Sequence, residues 1–119
     1  FLAYGEMRGD AFYNNAFNVN ADKVVNNSLD NNIFWASWYN YYRVIKQANA
    51  VIKFTPQVLE AGGISAEKAD DVMGQAYCLR AFTYFWIIRI WGDAPLVTAP
   101  YLDSTKLLLP TLSNKFTVI

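Results

Sequence analysis

The stretch that decides the fold runs from Gly74 to Leu96 and reads GQAYCLRAFTYFWIIRIWGDAPL. Two apolar stripes at helical spacing pass through it, one at Met73, Tyr77, Arg80, Tyr84, Ile87 and Trp91, and one at Val72, Ala76, Leu79, Phe82 or Thr83, and Trp86. Two adjacent stripes predict a helix that is buried over more than half of its circumference. Such a helix is expected to be central and packed by more than one neighbour.

Both ends of this helix are marked in the sequence. Ser65 follows the Gly62–Gly63 break and is predicted to be the N-cap, since its hydroxyl can accept from a free backbone N–H. Gly92 suits the conformation just past the last turn, and Pro95 prevents the helix from resuming. The predicted helix spans residues 66–91.

A second amphipathic pattern precedes the first. Apolar and aromatic residues recur at intervals of four and three, together with one amide, at Trp38, Tyr42, Ile45, Asn49 and Ile52. Asn31 or Asn32 is expected to cap this helix, and Thr55–Pro56 is expected to end it, because the residue before proline disfavours helical geometry. The prediction is a helix over about 33–55, which forms an αα-hairpin with helix 66–91.

The flanks of the hairpin carry little periodicity. Residues 14–32 contain eight asparagines, whose side chains compete with the backbone for hydrogen bonds and favour turns. The tail from Leu96 shows no helical or strand period and is expected to be irregular. The predicted fold class is therefore all-α, with an Asn-rich loop before two long helices and an irregular C-terminal tail.

Two polar residues lie on the apolar helix faces. Arg80 keeps its proton, so its burial requires a carboxylate or several carbonyl oxygens, and Asp10, Glu6 and Asp93 are candidate partners. Asn49 is expected to satisfy backbone groups of a loop or a helix end. The sequence favours a structural role over ligand contact for both residues, although contact with a ligand is the alternative.

Composition narrows the function classes. Ten acidic and ten basic residues balance, and no basic patch with interleaved aromatics indicates a nucleic-acid partner. The chain contains no histidine, the usual general base and commonest metal ligand, so we expect no catalytic site, metal or cofactor. The one cysteine, Cys78, is expected to be a small buried apolar residue. No stretch is apolar enough to span a membrane.

The two helical blocks together carry a resemblance to a known family. Residues 74–85, followed by Ile90 to Leu96, are similar to the SusD/RagB signature. That signature is a long helix of the form G-E-A-x-x-L-R-A-x-x-Y-F, closed by an aromatic, a glycine, any one or two residues, and Pro-Leu. The helix before it resembles that family's W-x-x-L-Y-x-x-I-x-x-A-N-x-x-I. Gln75 stands where the family usually has glutamate, and Arg8-Gly9-Asp10 resembles a weaker upstream segment. Members continue for several hundred residues, so residues 1–119 are expected to be a single partial domain, the N-terminal part of such a scaffold.

The resemblance implies a fold and a function. SusD-like proteins build tetratricopeptide-like helical hairpins and form lipid-anchored lids on a TonB-dependent SusC-like transporter. They bind oligosaccharides or other nutrients at the outer-membrane surface and deliver them to that transporter without cleaving them. Membrane contact is then expected only through an N-terminal lipid anchor outside this chain. The family's ligand sites usually lie on irregular loops and not on the signature helices.

The loop before the hairpin offers the side chains that sugar binding needs. Flat aromatic faces stack on pyranose C–H surfaces, and planar amides bridge hydroxyl groups. We therefore expect Tyr13 and Trp35 to border a glycan site, with Asn14 and Asn32 beside them. The alternative is that these aromatics are core residues and that the asparagines only make turns. Arg80, Asn49, Gly92 and Pro95 are expected to be structural.

A function from another class uses the same elements. A tetratricopeptide-like adaptor grips a peptide in the groove of its helical hairpins and needs many of the same aromatics. Such an adaptor shows a second hairpin at a period of about 34 residues, and this sequence has only one hairpin. The interaction module therefore ranks behind the nutrient-binding protein.

Overall fold

The computed structural model describes residues 5–14, 18–30, 32–33, 37–102 and 110–118. After a 3₁₀ turn at Glu6–Arg8, its elements are α1 (Val19–Val25), α2 (Tyr39–Glu60), α3 (Ala66–Trp91), β1 (Ala94–Pro95), β2 (Leu112–Ser113) and α4 (Lys115–Val118). The all-α class and the helical hairpin are confirmed. The chain forms two compact units, Phe1–Trp38 and Tyr39–Ile119.

The first unit is built around α1. Asn18 caps it, and its side-chain oxygen accepts hydrogen bonds of 3.1 Å from the backbone N–H groups of Asn20 and Ala21. Ala21 and Val24 are the buried residues of this short helix. After α1 the backbone turns at Asn27, which has a φ of 55°, a left-handed conformation that asparagine tolerates.

Helix α2 differs from the prediction at both ends. It begins at Tyr39, because Asp30 accepts a 2.9 Å hydrogen bond from the backbone N–H of Asn32, which makes a local turn where a helix cap was expected. The helix also continues through Pro56 to Glu60. Thr55 is buried at 7% exposure, so packing at this residue holds helical geometry despite the proline that follows.

Helix α3 begins and ends at the predicted residues. The hydroxyl oxygen of Ser65 accepts a 3.2 Å bond from the N–H of Lys68 at its start. At the other end Gly92 has a φ of 81°, and its N–H donates to the oxygen of Ile88. A residue with a side chain at this φ is strained, so glycine is the residue suited to the turn.

The hairpin core lies between α2 and α3. Ile45, Tyr84, Ile87 and Ala94 form its buried centre, and partly buried side chains pack around them, namely Tyr41, Tyr42, Trp91, Leu96 and Val118. The rings of Tyr41 and Trp91 meet edge to face with centroids 5.2 Å apart, which couples the start of α2 to the end of α3.

The tail is more ordered than predicted. β1 pairs antiparallel with β2, with Ala94 opposite Ser113 and Pro95 opposite Leu112. The Asp93 carboxylate accepts a 3.0 Å bond from the N–H of Lys115, the first residue of α4. Two-residue strands and a one-turn helix are too short to leave a period in the sequence.

The second stripe of α3 is less buried than the sequence predicted. On this stripe Leu79 is 55% exposed and Phe82 is 46% exposed, although Ala76 and Thr83 are buried. The other stripe is also mixed, since Tyr84 and Ile87 are almost fully buried and Tyr77 is 49% exposed. Cys78 is also exposed, contrary to expectation. The doubly buried central helix was therefore the wrong prediction for the described chain, because α2 covers only one side of α3. In the described ranges no helix is both long and apolar enough to cross a membrane.

Candidate functional site

The predicted ligand-binding residues lie in the first unit, apart from Trp35, which is outside the described residues. Tyr13 is 81% exposed, so a face of its ring is open to solvent. Asn14 is half-buried and Asn32 is exposed. An exposed phenol ring and an exposed planar amide are groups that can stack on a sugar and bond to its hydroxyls.

Helix α1 is hydrogen-bonded to residues both before and after it in the sequence. The Nδ2 of Asn14 donates a 2.7 Å hydrogen bond to Oδ1 of Asp22 on α1. On the next residue of the same helix, the Nζ of Lys23 lies 2.6 Å from Oδ2 of Asp30. Asn14 is thus held by the helix through its amide N–H group, and Asp30, two residues before Asn32, is held by the same helix.

Two donors stabilise the Asp30 carboxylate. The ammonium of Lys23 and the backbone N–H of Asn32 both bind it, and together they lower the pKa of Asp30 below its ordinary value. The carboxylate is exposed and stays ionised at neutral pH, so it is an acceptor for donors in this loop. Among the described residues no group of three or more acidic, cysteine or histidine side chains could hold a metal ion.

A second polar cluster lies on one face of the hairpin, where Asn49 of α2 meets Arg80 of α3. The Nη1 of Arg80 donates a 2.8 Å bond to Oδ1 of Asn49 and a 3.3 Å bond to the carbonyl oxygen of Thr98. The Nδ2 of Asn49 donates to the carbonyl oxygens of Val97, at 2.9 Å, and Ala99, at 3.3 Å. Asn49 is 1% exposed.

Two tyrosines complete this cluster. The hydroxyl of Tyr42 donates a 2.7 Å bond to the carbonyl oxygen of Pro95. The hydroxyl of Tyr84 accepts a 2.6 Å bond from the N–H of Val97 and lies within 3.3 Å of the carbonyl oxygens of Pro95 and Val97. We call these four side chains, Tyr42, Asn49, Arg80 and Tyr84, the carbonyl clamp, because they hold residues 95–99 through backbone groups.

Burial keeps the tyrosines of the carbonyl clamp neutral. It raises the pKa of Tyr84, an effect that the Val97 hydrogen bond and the Arg80 charge only partly offset. Burial also raises the pKa of Tyr42, with a smaller contribution from the charge of Tyr84. Both phenols therefore keep the protons that they donate to the backbone carbonyls.

The sequence indicated half of this cluster. Arg80 and Asn49 were singled out, but the acidic partners considered for Arg80 are not the partners that the structure gives it, which are the amide oxygen of Asn49 and a main-chain carbonyl. Tyr42 and Tyr84 were assigned only to apolar stripes. The spacing of the residues could have linked them to the polar pair, because Tyr42 precedes Asn49 by seven residues and Tyr84 follows Arg80 by four. These spacings place each tyrosine on the same helix face as its polar neighbour.

An open groove of about 590 Å³ is lined by residues of α2 and α3. Its apolar lining is aliphatic, and its polar residues are mostly amides: Asn40, Arg43, Val44, Gln47, Ala48, Val51, Val72, Gln75, Ala76 and Leu79. The Nε2 of Gln75, the residue that departs from the family signature, donates a 3.0 Å bond to Asp71. No aromatic ring is among the described residues that line the groove, so its chemistry suits aliphatic side chains better than a sugar.

Comparison with known proteins points to one family. A family model described as SusD-like, starch-binding and associating with the outer membrane, matches residues 2–115. The SusD-like protein P38 of Formosa agariphila is 31% identical over 98 residues, which are 80% of this chain and 18% of that protein. The SusD-like protein P25 of the same organism is 32% identical over 114 residues, 82% of this chain and 21% of P25.

A relative from a second organism agrees with these two. A SusD-like protein of Bacteroides ovatus is 33% identical over 81 residues, 68% of this chain and 14% of that protein. The chain thus spans about a fifth or less of the length of the curated relatives that it matches. No solved structure matches it.

Proposed function

The chain belongs to the SusD-like family, and from that membership we propose that it serves the binding of glycans or other nutrients at the outer-membrane surface. The observation that carries this proposal is the family match over residues 2–115, whose description names starch binding and the outer membrane. The exposed ring of Tyr13 supports it, because a solvent-facing aromatic has a face available for a sugar.

The ligand-contacting surface in this proposal is the loop around α1. Tyr13 supplies the stacking face, Asn32 supplies an exposed amide, and Trp35 is the second proposed aromatic. Asn14 lies beside Tyr13 in the proposed site, and its amide N–H group donates to Asp22 of α1. This bond holds the Asn14 side chain against α1, next in sequence to Tyr13.

The carbonyl clamp has a structural role in the proposal. Arg80 and Asn49 bind three consecutive carbonyl oxygens of residues 97–99, so they fix the path of the chain after α3. Gly92 allows the sharp turn out of the helix, and Pro95 presents the carbonyl that Tyr42 binds. These residues act on the ligand only by holding the scaffold that carries the loops.

The proposed activity is binding without chemistry. The chain has no histidine, which is the usual general base. The bound nutrient is handed to a TonB-dependent SusC-like transporter, and the protein is held at the cell surface by an N-terminal lipid anchor. Both the transporter and the anchor follow from family membership and belong to the proposal.

Affinity electrophoresis in gels that contain polysaccharides tests the proposal. The chain is run by affinity electrophoresis through gels that contain starch or one of a panel of other polysaccharides, with an inert protein of similar mass as the mobility standard. We expect at least one glycan to retard the chain and the matching oligosaccharide to relieve the retardation. Equal mobility in every gel would count against glycan binding by this part of the protein.

A further inference from the structure

The first compact unit carries an excess of negative charge. Its charged side chains are Glu6, Asp10, Asp22 and Asp30 on the acidic side and Arg8 and Lys23 on the basic side. Four carboxylates against two cations give this unit a net charge of −2, although the charges of the whole chain balance. All four carboxylates are exposed. Exposed charges act over one Debye length, about 8 Å at physiological ionic strength, so this excess affects charged ligands at the surface of the unit.

Both cations of the unit are engaged by the chain that follows α1. The Nζ of Lys23 lies 2.6 Å from Oδ2 of Asp30, so this positive charge is neutralised within the loop. The Nε of Arg8 donates a 2.7 Å bond to Oδ1 of Asn27, two residues after the end of α1. The positive charges are therefore held at residues 27–30.

Asp22 is the carboxylate that lies next to the proposed stacking face. The Nδ2 of Asn14 donates a 2.7 Å bond to Oδ1 of Asp22 and a 3.3 Å bond to the carbonyl oxygen of Asn18, the residue that caps α1. Asn14 follows Tyr13 directly, and consecutive Cα atoms are about 3.8 Å apart. A sugar unit stacked on the exposed ring of Tyr13 therefore lies in the field of the Asp22 carboxylate.

Neutral and anionic sugar units respond differently to such a carboxylate. The hydroxyl groups of a neutral sugar can donate hydrogen bonds to it, whereas a sugar that carries a carboxylate or a sulfate brings a second negative charge. Two like charges about 4 Å apart in water disfavour an equilibrium by about fivefold. This repulsion weakens as salt shortens the Debye length, while stacking of a neutral sugar does not depend on it.

We propose that Asp22 is a specificity-determining residue of this surface, which favours uncharged sugar units on Tyr13 over units that carry a carboxylate or sulfate group. The proposal rests on the proposed glycan binding and narrows the substrate class of that same site. Asp22 acts through its negative charge, which distinguishes this role from the hydrogen bond by which it holds Asn14.

Affinity electrophoresis with matched polysaccharide derivatives tests the proposal. The gels contain hydroxyethyl starch or hydroxyethyl cellulose, which are neutral, or the carboxymethyl derivative of the same polymer at equal substitution, which is anionic. In about 0.01 M salt, where the Debye length is about 30 Å, we expect the neutral derivative to bind the wild-type chain more tightly. The expected preference is at least about threefold, and it should shrink in about 1 M salt, where the Debye length is about 3 Å.

Two variants separate the local charge from the charge of the whole chain. Asp22→Asn removes the carboxylate charge and keeps an oxygen that can accept from Asn14, so we expect it to reduce the preference to less than about twofold. Asp71→Asn is the matched control, because Asp71 is exposed in the second unit, accepts a 3.0 Å bond from the amide of Gln75, and changes the net charge equally. It is expected to keep the wild-type preference.

Equal or tighter binding of the wild-type chain to the carboxymethyl derivative overturns this inference alone. An unchanged preference in Asp22→Asn, or an equal reduction in Asp71→Asn, does the same. If Asp22→Asn loses its helical circular dichroism, the salt series of the wild type decides, since a preference that does not shrink at high salt is not electrostatic. A chain that none of the four gels retards contradicts the proposed glycan binding and this inference with it.

Discussion

Asn49 and Arg80, on different helices of the hairpin, share a 2.8 Å hydrogen bond, and each also binds the backbone of residues 97–99. One amide therefore joins α2, α3 and the chain that follows α3. Its oxygen accepts from the guanidinium, and its nitrogen donates to two carbonyl oxygens. Because Asn49 is 1% exposed, removing the amide leaves its partners unsatisfied in a site closed to bulk solvent.

Asn49→Ala is expected to destabilise the fold. The substitution leaves the carbonyl oxygens of Val97 and Ala99 without their donor, deprives Arg80 of its amide acceptor, and opens a small cavity. We expect the free energy of unfolding to fall by about 2–3 kcal/mol. Urea unfolding followed by circular dichroism measures it, with Asn40→Ala on the exposed side of the same helix as the control, expected within about 0.5 kcal/mol of wild type. Equal losses for both variants would refute the role of Asn49.

Tyr84→Phe isolates the contribution of one hydroxyl group. The ring stays in the core, but the N–H of Val97 loses its 2.6 Å acceptor, so we expect a loss of about 1–3 kcal/mol in the free energy of unfolding. Tyr77→Phe is the matched control, since Tyr77 lies on the same helix and is 49% exposed. The prediction fails if the two phenylalanine variants unfold at the same urea concentration.

Stability is expected to decline in alkali because of Tyr42 and Tyr84. Both have a pKa raised above the ordinary value of 10.0 in the folded chain, so the unfolded state loses these protons first. Their contribution is complete below the unfolded pKa near 10 and is lost as the pH rises through the folded values. Urea midpoints from pH 8 to pH 11 measure the decline. The Tyr42→Phe, Tyr84→Phe double variant should show a shallower decline than wild type, and parallel slopes would contradict the assignment.

Two glycine substitutions, one inside α3 and one just past its end, are expected to change the stability in opposite directions. A Cβ at Gly92 meets no atom within 4 Å, so Gly92→Ala costs only the strain of a φ of 81°, about 1–3 kcal/mol. Gly74 is also free of contacts but lies inside the helix, where Gly74→Ala should stabilise by about 0.5–1 kcal/mol. Thermal midpoints of the two variants measure this difference. Midpoints that shift in the same direction would show that the backbone explanation is wrong.

The sequence predicted the hairpin because its signals are local and repeated. Ser65 and Gly92 mark the ends of α3 by their own backbone chemistry, and the apolar period runs without interruption between them. The start of α2 was missed because Asp30 competes for the backbone N–H of Asn32 and makes a turn there. Pro56 was read as a stop, yet packing at the buried Thr55 outweighs a local preference.

The contacts of the carbonyl clamp and of the proposed ligand loop were harder to predict from the sequence than the hairpin. The clamp depends on hydroxyl groups of Tyr42 and Tyr84 reaching residues that lie 53 and 13 positions along the chain. Nothing at Tyr42 itself distinguishes a ring that packs from a ring that also donates a hydrogen bond. In the loop, the pairing of Asn14 with Asp22 depends on the position of α1, which a dense run of asparagines does not disclose.

Oligosaccharide binding by Tyr13 variants tests the central claim most directly. An oligosaccharide of the glycan that retards the chain is titrated calorimetrically into wild type, Tyr13→Ala, and Tyr39→Ala as the matched control, since Tyr39 is 68% exposed on α2. We predict saturable binding to wild type, unchanged binding to Tyr39→Ala, and at least about tenfold weaker binding to Tyr13→Ala, the effect of losing 1.4 kcal/mol. Equal affinity of the Tyr13→Ala and Tyr39→Ala variants, or no binding to wild type, would contradict the account.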